Sequence, residues 1–152
     1  MSDGLPRVGR LAGIDYGTVR VGVAITDPEQ RLASPLEIHQ RGDKKRDAAW
    51  LAKLVAAERI VGFVVGLPVH TSGQESQKSA EARQFGEWLA GQTKLPVRFF
   101  DERYTSVQAE ALLMDAELTK KRRKERLDKL AAQILLAGYL ESSRMEGEPG
   151  AL

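Results

Sequence analysis

The run Ile60-Val61-Gly62-Phe63-Val64-Val65 constrains this chain more than any other stretch. It offers no polar side chain to water on either face, which is the pattern of a strand covered from both sides. Such a strand belongs to a sheet sandwiched between helices, so helical periodicity should flank it. Residues 44–58 supply one helix, with Ala48, Leu51, Leu54 and Val55 on a single face. A second helix over about 75–91 turns Ala82, Phe85, Trp88 and Leu89 inward.

Upstream the period changes to two. Residues 8–15 read as a strand, and residues 20–27 as another, with Val21, Val23 and Ile25 on one face and Gly22 and Ala24 on the other. A turn at Asp27-Pro28-Glu29-Gln30 leads to a third strand near 31–39. Connections this short predict an antiparallel meander. Pro96-Val97-Arg98-Phe99-Phe100 is a fifth strand. A helix at about 105–116 opens on a Thr105/Gln108 capping box. A last helix over about 124–143 carries the stripe Leu127, Leu130, Ala131, Ile134, Leu135 and Gly138. The predicted fold is α/β, a mixed five-stranded sheet with an antiparallel meander, parallel strands and helices on both faces. One domain over 1–143 with a frayed tail at 144–152 accounts for the chain.

Composition limits the function. The chain has 152 residues, 42% hydrophobic and 29% charged, enough for one domain with a real core. It has no cysteine, which excludes a disulfide framework and thiolate metal sites. No apolar run reaches the roughly 18 residues of a membrane span, and the N-terminus lacks a signal-peptide pattern, so a cytoplasmic location and no membrane partner are expected. Net charge is only +2, but Lys120, Lys121, Arg122, Arg123, Lys124 and Arg126 form a dense basic run. Clustered cations of this kind suit a phosphate backbone, and Lys121, Arg122 and Arg123 are its candidate contacts. A solvated loop and helix start is the plainer reading.

The acids fall where sheets of this class place their sites, at the carboxyl ends of parallel strands. Asp15 ends the first strand, Gly66-Leu67-Pro68 follows the fourth, and Asp101-Glu102 ends the fifth. Asp128 borders the apolar stripe of the last helix, where a first-turn acid also suits the helix dipole. Strand alternation lets only one of Asp101 and Glu102 share a face with Asp15. Converging carboxylates suit Mg²⁺ or Mn²⁺, hard cations that activate water and stabilise the leaving oxygen of a phosphodiester. His39 and His70 have no zinc-like spacing and read as surface or loop residues. Trp50, Trp88, Phe63 and Phe85 read as core, while Tyr16 and Tyr104 flank the crevice, where a base could stack.

Four segments in this order carry a family resemblance: Gly13-Ile14-Asp15-Tyr16-Gly17, Val65-Gly66-Leu67-Pro68, Asp101 through Ser106, and Asp128 through Ala132. Over roughly residues 8–143 the chain resembles the YqgF/RuvX family of pre-16S rRNA nucleases, also described as Holliday-junction-resolvase-like. The resemblance implies a ribonuclease H-like fold, dependence on Mg²⁺ or Mn²⁺, and maturation of the 5′ end of 16S rRNA. Carried onto this sequence, it implies Asp15, Glu102 and Asp128 as catalytic and metal-holding acids. Thr18, Arg20, Arg103 and Thr105 are implied substrate contacts. The chain departs from the family after Gly-Leu-Pro, where Val69-His70-Thr71-Ser72-Gly73 replaces the usual polar turn.

Other readings compete. Asp15-Tyr16-Gly17-Thr18 also resembles the first phosphate loop of actin-like and sugar-kinase ATPases, which pair two such domains where this chain has one. An RNA-binding ribosome assembly factor without catalysis would use the same basic run. A nuclease on branched DNA would use the same acids, but as a dimer. RNA is the favoured partner, with the protein a monomer or weak dimer.

Overall fold

Strands form first where the apolar period is two. β1 (Arg10–Asp15), β2 (Arg20–Thr26) and β3 (Ala33–Gln40) make the meander, and β4 (Ile60–Leu67) and β5 (Val97–Asp101) complete the sheet. The computed structural model describes residues 4–68, 77–101 and 130–142. The sheet has five strands in the order β3-β2-β1-β4-β5. β1 pairs antiparallel with β2, with Asp15 opposite Gly22. It pairs parallel with β4, with Ile14 beside Val65, and β4 pairs parallel with β5, with Leu67 beside Asp101. β1, β4 and β5 therefore end at one edge, as the sequence predicts.

The meander is locked at its second hairpin, between β2 and β3, by one side chain. Asp27 Oδ1 accepts the backbone N–H groups of Arg31 and Leu32, each at 2.8 Å, which lets Gln30 hold the left-handed φ of 57° that the turn needs. β3 is the sheet edge and is largely exposed, and Pro35 sits opposite Ala24 where the β2–β3 register shifts, a position that tolerates proline.

Helices cover both faces. α1 (Lys44–Glu58) starts where Asp43 accepts the Arg46 N–H at 2.7 Å, an N-cap. α2 (Gln77–Thr93) packs beside it, and together they cover Ile14, Val21, Val23, Phe63 and Val65. The opposite face holds Leu11, Ala24 and Val64 under α3, residues 130–142. β4 thus buries alternate residues into both clusters, as its unbroken apolar run requires. Phe63 and Val64 are fully buried on opposite faces, each contributing about 1.5–3 kcal/mol.

Two expectations are corrected. The buried face of α3 is wider than predicted and includes Ala132, Leu136, Tyr139 and Leu140, whereas Ala131 and Gly138 are half-buried. The physical reason is Gly13: a β-carbon there would lie 2.8 Å from Leu136 Cβ and 3.0 Å from the Ala132 carbonyl, so the glycine admits the helix backbone against β1. His39 is not a surface residue. It stacks on Trp50 at 3.8 Å and bonds the buried Asp47 at 2.8 Å. The helix at 105–116, the start of the last helix, His70 and the tail at 144–152 lie outside the described residues.

Candidate active site

The carboxyl edge is built from β1 outward. Asp15 is half-buried, and alternation from Leu11 and Gly13 places it on the α3 face of the sheet. Its antiparallel neighbour on that face is Gly22. The parallel register, one step past Ile14–Val65, sets Gly66 beside it on β4. At those two positions neither neighbouring strand places a side chain beside the carboxylate.

The chain then turns through Tyr16-Gly17-Thr18-Val19. Glycine is required at position 17 because a β-carbon would collide with the Arg20 carbonyl oxygen. The turn is held by Arg41, which follows β3. Its guanidinium donates to the Tyr16 hydroxyl at 3.0 Å and to the Gly17 and Thr18 carbonyls at 3.4 Å each. The Arg41 backbone N–H also donates to the Val19 carbonyl at 2.9 Å. Arg41 in turn faces Asp47 of α1, with Nε 3.8 Å from Oδ2.

Asp47 is 5% exposed, and burial pushes its carboxyl pKa up. The Gly42 N–H, the His39 hydrogen bond and the charges of His39 and Arg41 outweigh that, so the net shift is below the ordinary carboxylate value.

A pocket of about 550 Å³ opens at this edge, lined by Asp15, Thr18, Arg20 and the first turns of α2, including Lys78 and Glu81. It brings two acids, Asp15 and Glu81, together with the cations Arg20 and Lys78 and the Thr18 hydroxyl, and the two cations can hold a phosphate beside the Asp15 carboxylate. Lys78 and Arg41 were not singled out from the sequence. Lys78 belongs to no sequence motif, and Arg41 reaches the turn only because β3 lies beside β2.

Asp101 ends β5 on the other face. Phe99 before it packs into the α1/α2 cluster, whereas Phe100 meets Tyr139 of α3 edge-on at 6.1 Å. Asp101 therefore alternates away from Asp15. Glu102, Arg103, Tyr104, Thr105, Lys121, Arg122, Arg123 and Asp128 lie outside the described residues. Among the described residues no group of three acids or histidines is placed to hold a metal ion. The donor set that is described, a half-buried carboxylate between two glycines, fits a hard oxygen-binding cation.

A mixed sheet in this order, with an acid at the carboxyl end of its central strand, defines a ribonuclease H-like fold. RuvC of T. thermophilus, solved in complex with Holliday junction substrate, superposes with a TM-score of 0.55 at 18% identity, covering 88% of this chain and 96% of that one. The yeast mitochondrial Holliday junction resolvase Ydc2 gives 0.50 at 8% identity, covering 93% and 83%. The chain belongs to the RuvX family, described as Holliday junction resolvase, whose model matches residues 9–142. A relative from Rhodopirellula baltica, named "Putative pre-16S rRNA nuclease", is 51% identical over 96% of this chain and 84% of its own length. A relative of the same name from Rhodobacter capsulatus is 44% identical over 90% and 86%. The enzyme class is that of a nuclease, a hydrolase of phosphodiester bonds. No described helix is long and apolar enough to cross a membrane.

Proposed function

We propose that this chain is a metal-dependent nuclease of the cytoplasm that hydrolyses structured RNA and matures the 5′ end of pre-16S rRNA. The observation that carries the reading is Asp15, a carboxylate between Gly22 and Gly66 at the edge of a pocket shared with Arg20, Thr18 and Lys78. The naming of relatives as pre-16S rRNA nucleases supports the substrate.

In this reading Asp15, Glu102 and Asp128 hold Mg²⁺ or Mn²⁺. Glu102 is preferred to Asp101 by the family resemblance, and Asp101 alternates onto the face away from Asp15. When bound, the cation supplies an activated water and neutralises charge on the phosphodiester. The chain's own residues do the rest. Arg20, Thr18 and Lys78 hold the phosphate, Arg41 keeps the turn that carries Thr18 in place, and Arg103, Thr105, Lys121, Arg122 and Arg123 extend the contact to the strand.

Cleavage of a 16S precursor fragment in Mn²⁺ tests this. Asp15→Asn and Glu102→Gln should lose cleavage by about 10² or more with unchanged melting, while Asp101→Asn retains it. Wild-type rates in Asp15→Asn would end the metal mechanism. A second reading, cleavage of a branched DNA junction, is favoured by the family description. A four-way DNA junction in the same assay separates the two, since only the preferred substrate is cut at low enzyme.

A further inference from the structure

Tyr16 immediately follows Asp15 yet packs toward the other face, against the cluster under α1 and α2. There it lines a second pocket of about 280 Å³, between α1 and α2, which shares Tyr16 and Glu81 with the Asp15 pocket. The two are therefore neighbours along one continuous edge. Three aromatic rings form part of the wall: Tyr16, Phe85 and Trp88, with Phe85 5.2 Å from Tyr16 and 5.3 Å from Trp88. The Arg41 guanidinium lies over the Tyr16 and Phe85 rings at 5.2 and 5.4 Å. Gln84 and Lys44 stand exposed at its margin.

Such a lining differs from that of a packing defect. A gap left in a core is walled by aliphatic groups and stays dry. This one combines the buried Phe85 ring with the half-buried Tyr16 and Trp88 rings, a cation over the first two, the carboxylates Asp47 and Glu81, and an amide carrying both donors and an acceptor. Those are the groups that hold an unstacked base: rings for its face, an amide for its edge and a lysine for its phosphate. The volume lies just below the usual range for whole ligands, which starts at about 300 Å³, and so suits a single base rather than a duplex.

We propose that this pocket takes one unpaired nucleobase of a single-stranded RNA segment, adjacent to the phosphate held in the Asp15 pocket. The base stacks on Trp88, its edge meets Gln84, and its phosphate meets Lys44. The inference rests on reading the Asp15 pocket as the place where a strand is held, and it assigns that strand a flipped base beside the cut.

The test is binding, not cleavage. Asp15→Asn protein in metal-free buffer is titrated with a short single-stranded RNA carrying one 2-aminopurine, whose fluorescence falls on stacking. The probe should be quenched, and Trp88→Leu should weaken binding about fivefold or more and remove the quenching. An RNA abasic at that position should bind the parent and Trp88→Leu alike. Gln84→Trp, which fills the pocket from an exposed helix position, guards against a folding defect in the first variant and should weaken binding by a similar factor. Unchanged affinity and quenching in both variants overturns the base pocket and leaves the nuclease reading standing. Failure of the parent to bind any strand overturns both.

Discussion

Asp47→Ala isolates the buried brace behind the Asp15 turn. The carboxylate accepts the Gly42 N–H at 2.9 Å and the His39 ring nitrogen at 2.8 Å, and faces Arg41 Nε at 3.8 Å. Alanine leaves the Gly42 N–H and the His39 ring nitrogen without this acceptor, each at about 1–3 kcal/mol. Both bonds are only part-buried, which favours the lower half of that range. The sum is about 3 kcal/mol, which for a chain of 152 residues lowers Tm by about 6–12 °C. Asp47→Asn keeps the shape and an acceptor for Gly42 while losing the charge, and should cost only about 1–2 kcal/mol. Thermal unfolding followed by circular dichroism at neutral pH reads both. An Asp47→Ala protein melting within about 2 °C of wild type would show that the brace contributes little, and the reasoning fails.

The same carboxylate sets an acid limit. Its folded pKa lies below its ordinary value, so its contribution to stability is complete above about pH 4 and is lost as pH falls through the depressed folded value. Urea unfolding between pH 6 and pH 2.5 should therefore show a steeper acid loss in wild type than in Asp47→Asn. Gly13→Ala forces a β-carbon into Leu136 and the Ala132 carbonyl, and should cost about 1–3 kcal/mol by denaturant melt, with α3 pushed off β1. Gly17→Ala disturbs only the turn, where the added carbon meets the Arg20 carbonyl. It should reduce cleavage more than stability, and equal losses of both would refute the assignment of that turn to the phosphate.

The periodic signals were sufficient for the architecture. The two-residue period of β2, the unbroken apolar run of β4 and the helical face of α1 each report one element's burial, and burial is what local sequence encodes best. They predicted the five strands, the parallel trio and the edge where Asp15 sits. The last helix was read less well, because its buried width depends on Gly13, more than a hundred positions away in the chain. His39 was misread although its partners are near in the chain: Trp50 and Asp47 lie on α1 and meet it only once α1 folds back against β3.

What the sequence determined by itself is the alternation of strand and helix and the placement of an acid at the end of a core strand, since both follow from which side chains avoid water. Only the tertiary structure decided that Asp101 looks away from Asp15, that Asp47 is buried and paired, and that Arg41 holds the turn after β1. The first depends on strand register and the others on how β3, the turn after it and α1 pack together, which no local period of residues encodes.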